Sequence, residues 1–502
     1  MTEPANLTEY DVVAYPSGAR SSSHLDRLAT PALLMDMRPA PINSCRVLEL
    51  ACGDGGNLIP MAVSLPGSQF VGIDLASTAI DRGKQAISEL GLANITLRHG
   101  DLMDPGLAPG TFDYVIAHGV YSWVPEPVRQ RILGLIRECM APHGVAFVSY
   151  NAMPGGHLRQ MVRDMLRYHT RNIDSPTEQL AQARAFLAML AKTPGEPGDV
   201  YRQILGAEAG RAALGHDASL FHDDMAEVND PSYFTDFVDA AGGHGLQFLA
   251  EADFSEMSID FLPAEVRSVL ARAASQDLIM KEQYLDFLKC RRFRQTLLCH
   301  KEVELDRSVD LDHIRRFFFV SPAREAEATP GSTARQFRHP NGSKVTTEEP
   351  LAHAAFQALA AAYPREITFD ALLADVAATS AKPPDPELLG EILFRAATAG
   401  VVAFTLHGSG IAYEPARQPR ASAWARRQAL SRESVTNLLH ETVLIEGDLA
   451  RALLILADGT RDIPALTRDL NATIPEGGQR VAEPDVQRML TTLAALALFH
   501  RE

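Results

Sequence analysis

Residues 45–57, CRVLELACGDGGN, constrain this chain more than any other stretch. Val47, Leu48 and Leu50 form a short apolar run that opens into a glycine-rich turn, the pattern of a buried strand delivering its backbone to a ligand. Gly53, Gly55 and Gly56 present no Cβ to block that approach. A helix is expected from about Asn57, with Pro60 in its first turn, where a missing N–H costs nothing. A dinucleotide fingerprint G-x-G-x-x-G would need Gly53, Gly55 and a third glycine where Leu58 stands. Instead the run carries an acid, Glu49, inside the strand end.

Further acids follow at regular distances. Residues 70–74, FVGID, read as a second strand ending in Asp74, 19 residues beyond Gly55, where a carboxylate can accept both ribose hydroxyls. Residues 95–101, ITLRHGD, form a third, ending in Gly100 and Asp101. Residues 112–117 lead into His118, Gly119 and Val120, and residues 144–151, GVAFVSYN, make a fifth strand. Five strands with intervening helical segments predict an α/β, doubly wound parallel sheet. An acid ending each of three consecutive strands is hard to explain by packing.

The run ELACGDG resembles the S-adenosylmethionine (SAM) loop of class I methyltransferases, with Ala51 in place of the usual first glycine. The segments YPSGARSSSHLDRLA, RVLELACGDGGNLIPMA, FDYVIAHGVYSWVP and GVAFVSYNAMPGGHLRQMVRDMLRYH are similar to bacterial methyltransferases that carry a methyltransferase regulatory domain, a family that includes protein-lysine methyltransferases. The resemblance is dense over residues 10–170 and patchier beyond, where FHDDMAEVNDPSYFTDFVDAAGGHGL resembles the regulatory-domain signature. It implies a Rossmann-like core in which Glu49, Ala51, Gly53, Gly55, Asn57, Asp74, Leu75, Gly100, Asp101, Leu102, His118 and Gly119 hold SAM and its product S-adenosylhomocysteine (SAH), with Asp101 against the adenine amino group. Arg20, Met153 and Gly156 depart from the family pattern, the first and last two standing where aromatics are expected.

A chain of 502 residues is too long for one core. The expected organisation is an N-terminal cap segment (1–44), the SAM-binding core (45–154), an inserted regulatory, lid or dimerisation segment (155–245), the end of the core (246–305), and two winged-helix-like units (306–416 and 417–502). Ser23 is the expected cap of a helix carrying Leu25, Leu28, Leu33 and Leu34, and residues 401–415 read as a hairpin. With 63 acidic and 47 basic residues the net charge is −16, which argues against nucleic acid or an anionic membrane as partner. Over residues 321–502 acids outnumber bases; only 417–432, with five arginines and Trp424, is basic, and it reads as a solvated linker. No run is long enough for a membrane span, and the first residues lack a signal pattern, so the expected location is cytoplasmic. Five cysteines without a C-x-x-C pair read as reduced core thiols, and no histidine spacing suggests a metal; His222, Asp223 and Asp224 read as a cap or turn.

Because SAM carries an activated methyl, the protein must align a nucleophile and exclude water. For lysine it must also favour the neutral amine, about one in a few thousand at neutral pH, which an apolar channel does by desolvation. The candidates at the carboxyl ends of strands four and five are Tyr121, Trp123, Tyr150, Asn151 and His157, the last being the one candidate base, since no Asp or Glu lies within 118–124 or 145–157. His118 is read equally as packing on adenine or acting in catalysis, and Trp123 as a functional wall or a wedge beneath the N-terminal helix. The expected function is methyl transfer to an amine, a protein lysine foremost, with a homodimer through the inserted segment as a possible assembly. A small-molecule N- or O-methyltransferase and a non-catalytic SAM-sensing regulator are the alternatives.

Overall fold

The computed structural model describes residues 11–501 apart from 12, 14, 16, 194, 195, 197, 260, 261, 274–276, 309, 327–332 and 381. Residues 1–10 of the expected N-terminal cap segment, Tyr10 among them, lie outside the described residues.

Strands β1 (Arg46–Leu50), β2 (Gln69–Asp74), β3 (Ile95–His99), β4 (Phe112–Ala117) and β5 (Met140–Asn151) run parallel. Two later strands, β6 (Leu246–Glu251) and β7 (Phe293–His300), extend them into one sheet of order β3-β2-β1-β4-β5-β7-β6. β7 is antiparallel to both neighbours, so the sheet is mixed where the sequence suggested a parallel one. Strand order reverses between β1 and β4, and open α/β sheets bind ligands at that point, outside the carboxyl ends.

Both faces are covered. On one lies α1 (Leu25–Leu34), whose leucines pack with Val145 and Phe147 of β5. The other face carries α4 (Glu126–Cys139) and α8 (Phe234–Gly243), which enclose Ala146, Val148 and Tyr150. This split is the two-residue alternation of a strand buried on both sides. Helices α2 (Leu58–Ser64) and α3 (Ser77–Leu90) follow β1 and β2. His24 rather than Ser23 caps α1: its ring nitrogen accepts the Asp26 amide at 3.4 Å, while Ser23 lies in the preceding 3₁₀ turn with its hydroxyl on the Arg20 carbonyl.

Between β5 and β6 the chain forms α5 (Gly156–Thr170), α6 (Pro176–Lys192) and α7 (Val200–Leu214), with a small core of their own around Val162, Leu187 and Leu205. A π-helical turn, Leu220–Asp224, returns the chain to the site. After β6, α9 (Leu278–Lys289) precedes β7.

The next unit, with α10 (Pro350–Ala362), α11 (Phe369–Thr379) and α12 (Pro386–Thr398), shares the apolar core beneath α1. Residues 401–415 are not a hairpin. Ala403–Thr405 pairs with Phe318–Val320 and Ile411–Ala412 with Phe499–His500, because each half meets an apolar partner elsewhere, Phe404 packing 5.0 Å from Phe317. The last unit contains α13 (Ala423–Ala429), the hairpin β8 (Ser434–Thr436) and β9 (Thr442–Leu444), and three further helices around a separate core. Its basic run is not a solvated linker: Arg426 donates to the Ile455 carbonyl within the unit, Arg427 pairs with Glu89 of α3 at 2.7 Å, and Trp424 is buried. No helix among the described residues is long and apolar enough to cross a membrane. All five cysteines are free; Cys290 is exposed and the others buried.

Candidate functional site

The turn after β1 is held in the left-handed region at Ala51 (φ 58°), Gly53 (φ 56°) and Gly55 (φ 75°). For Ala51 this costs on the order of 1–2 kcal/mol that a glycine would not incur. Asp74 fastens the turn: its Oδ2 accepts the Gly53 amide at 2.7 Å and its Oδ1 the Ala76 amide at 2.8 Å. Each oxygen keeps a lone pair for a further donor. From above, the N-terminal segment closes over the loop, the Gly56 amide donating to Ser17 Oγ at 2.9 Å. A Cβ on Gly56 would collide with Ser17, which is why glycine stands there.

Beneath the loop Glu49 is 3% exposed. Its Oε1 accepts from Asn57 Nδ2 at 2.9 Å, and its Oε2 has no hydrogen-bond partner among the described residues. Burial pushes this carboxyl up to about 8, against the pull of the Asn57 hydrogen bond and with a contribution from nearby Asp74. At the end of β4, Ser149 Oγ lies 2.9 Å from His118 Nδ1 and accepts the Gly119 amide at 2.8 Å. Burial and Arg20 lower His118 to about 4, so the ring is neutral at physiological pH.

These groups line one cavity of about 870 Å³. Of the expected cofactor residues Glu49, Ala51, Gly53, Asn57, Asp74, Leu75, Asp101, Leu102, His118 and Gly119 face it. Gly55 and Gly100 do not: Gly55 faces Leu97, which a Cβ there would meet at 2.9 Å, and the Gly100 amide is engaged by the Asp74 carbonyl. Of the expected catalytic residues, Trp123 and Asn151 face the cavity.

Tyr150, Tyr121 and His157 are corrected. Tyr150 projects to the opposite sheet face, 1% exposed, stacked on Phe237 at 4.2 Å with its hydroxyl near Thr296, because odd and even positions of β5 point opposite ways. Tyr121 packs edge-on against the same Phe237. His157 is exposed on the first turn of α5, outside the cavity lining. Gly156, where the family pattern suggested an aromatic, lines the cavity, and a Cβ there would meet Pro231 at 2.9 Å.

The far end of the cavity is built from parts distant in sequence. Tyr15, Trp123, Phe293, Asn229, Glu208 and Asp223 converge there, the last three from the insertion. Asn151 Nδ2 donates to Asn229 Oδ1 at 2.8 Å. The guanidinium groups of Arg159 and Arg163 lie 5.7 and 5.6 Å from the Trp123 ring, so the insertion, not the N-terminal helix, holds that wall. Glu208 is paired with Arg211 and Arg292, whereas Asp223 has Tyr15 Oη at 3.3 Å and Arg159 at 3.7 Å. Burial raises both Asp223 and, to about 12, Tyr15. Although no Asp or Glu lies within 118–124 or 145–157, Glu208 and Asp223 line the same cavity as Trp123 and Asn151, because the insertion folds back onto the strand ends. No local signal in the sequence around Tyr15, Glu208 or Asp223 tells of this convergence; Ser149 was legible by strand parity with Asn151.

The residues fit SAM. The unpartnered Oε2 of Glu49 suits the ammonium of the cofactor's amino-acid portion, and Asp74 retains acceptor capacity for ribose. Fold and site together define the core of a SAM-dependent methyltransferase. Family comparisons agree: residues 47–144 match a methyltransferase domain, 216–300 a predicted methyltransferase regulatory domain, and 418–498 the PKMT C-terminal winged helix domain. Two uncharacterized proteins of Rickettsia prowazekii are similar, one 35% identical over 68% of this chain and 62% of its own length, the other 32% identical over 48% and 96%. The structure of PKMT2 from Rickettsia typhi in complex with AdoHcy superposes with a TM-score of 0.84 at 26% identity, covering 97% of this chain and 99% of that one. The chain belongs to the SAM-dependent methyltransferases that join this core to a methyltransferase regulatory domain and a PKMT-type winged helix.

Proposed function

We propose that this chain transfers the methyl of SAM to the side-chain amine of a protein lysine. The observation that carries the reading is the change in lining along the cavity, from the strand-end carboxylates Glu49, Asp74 and Asp101 to the aromatic walls Trp123 and Phe293 with Asp223 and Tyr15 among them. Bound SAM supplies a methyl on a cationic sulfur. Asp223 is placed to meet an incoming ammonium and, its carboxyl being raised by burial, to take up the proton the amine loses, while the apolar walls penalise the charged amine and favour the nucleophilic neutral one. Support comes from the structural likeness to PKMT2 and from the winged helix named for PKMT. The chain acts, in this reading, in the cytoplasm, and two copies pair through α5–α7, where Tyr168, Tyr201 and Leu214 are exposed apolar residues.

Incubation with methyl-labelled SAM and a bacterial lysate, followed by acid hydrolysis of the protein fraction and amino-acid chromatography, tests the acceptor. Label eluting as methylated lysine is expected. Label confined to small solutes, or released from protein by mild base as methanol, would replace lysine by a small molecule or a carboxylate.

A further inference from the structure

The cofactor loop is also held from near the other end of the chain. His440 sits in the turn 437–441 between β8 and β9, 3% exposed, with its Nε2 2.8 Å from Asn57 Oδ1. The turn is tightly braced: Asn437 Oδ1 accepts the amides of Leu439 and Glu441, and the Asn437 amide donates to the Glu441 carbonyl. Within it His440 adopts φ 61°, a conformation that a non-glycine residue keeps only where its surroundings enforce it, and one that clusters at functional sites. Its ring lies 5.4 Å from that of His24, which precedes α1.

Hydrogen bonding fixes which nitrogen carries the proton. Asn57 Nδ2 donates to Glu49 Oε1, and Asn57 Oδ1 accepts the Arg20 amide at 3.0 Å, so the orientation of the Asn57 amide is set. The His440 Nε2 facing that oxygen must therefore be the N–H donor. Burial, with His24 adding to it, keeps the imidazole neutral, and its single proton is the one on Nε2.

We propose that His440 is a positioning residue for the cofactor: its Nε2–H locks the Asn57 amide, Asn57 engages one oxygen of Glu49, and the other oxygen is left to receive the ammonium of the cofactor's amino-acid portion. The last unit of the chain thereby completes the site to which SAM binds. This rests on the cavity being the cofactor site. A residue that merely docks the last unit would affect every adenosine ligand alike, whereas one acting through Glu49 affects only ligands that carry the amino acid.

The test is calorimetric titration of the full chain with SAH and with 5′-methylthioadenosine, which keeps the adenosine and lacks the amino-acid portion. His440→Phe, a ring without the donor, should weaken SAH by about five- to tenfold and leave 5′-methylthioadenosine within about twofold of the unsubstituted chain. His440→Gln, which offers an amide N–H at the same reach, should restore the preference for SAH. Should the Phe variant not fold, His440→Ala replaces it with the same expectation. Equal weakening of both ligands, or unchanged affinity for both, overturns the proposal. Glu49→Gln and Asp74→Ala are titrated alongside: if neither weakens SAH, the cavity is not the cofactor site, and if they do while the His440 variants keep full SAH preference, only the role of His440 falls.

Discussion

Glu49 combines a buried carboxyl raised to about 8 with one oxygen that lacks a partner among the described residues. A raised carboxyl favours the neutral form in the folded chain, so its contribution to stability is complete below the ordinary range near 4.5 and is lost as pH climbs toward 8. The ammonium of SAH requires the ionised form, so affinity should rise between about pH 6 and 8, with proton release on binding. Glu49→Gln should flatten that slope and weaken SAH; a slope of unchanged steepness in calorimetry across buffers would remove Glu49 from the contact. Tyr150→Phe carries the opposite expectation. Its hydroxyl makes one 3.3 Å contact with Thr296 on the core face, so the substitution should cost about 0.5–1.5 kcal/mol of stability in urea titration and leave SAH affinity and kcat as they were. Reduced kcat at full stability would return Tyr150 to the site. At this scale the strand-end acids Glu49, Asp74 and Asp101 were legible because loop and spacing fix where they fall. Tyr150 and Asn151 were read together although adjacent strand residues face opposite ways, and with β5 apolar at both parities the sequence did not tell which of the two faced the cavity.

Among the elements, β1 to β5 stood out as apolar runs, the first four ending in or beside acids or glycines, and their order in the sheet follows from ordinary crossover connections. The antiparallel β7 was harder to read, since an apolar strand carries no mark of its direction. Least legible was the insertion's role, because Glu208 on α7 and Asp223 in the π turn reach the cavity through helix packing that no local pattern encodes. Replacing α6 and α7 by a short Gly/Ser linker removes Glu208 and Arg211 and the support beneath Asp223, and leaves the Gly53–Asp74 fastening intact. Such a chain should bind SAH with near-normal affinity and show no turnover. Retained turnover, measured as methyl transfer from labelled SAM, would mean that the acceptor site is complete without the insertion.

In the whole molecule, two units that sequence alone could only describe as winged-helix-like are joined to the catalytic core by different means. The middle unit shares its apolar core under α1, where Asp26 accepts the amides of Leu406 and His407. The last unit keeps a core of its own and meets the rest of the chain through Trp424, which is buried in the larger apolar core, and through Arg427 and His440. If the cofactor loop and turn 437–441 are one connected structure, SAH should slow amide hydrogen exchange in that turn as well as at residues 51–57. Exchange in 437–441 that ignores SAH would show the two to be uncoupled. The bond between Asn57 and His440 spans 383 residues of sequence. During synthesis, therefore, the glycine loop leaves the ribosome long before its last partner does, and a nascent or C-terminally truncated chain can form the sheet yet not the finished loop. If His440 positions Asn57 as proposed, competence to hold the methyl donor arrives late, and a chain lacking residues 437–441 should bind SAH more weakly than the full chain.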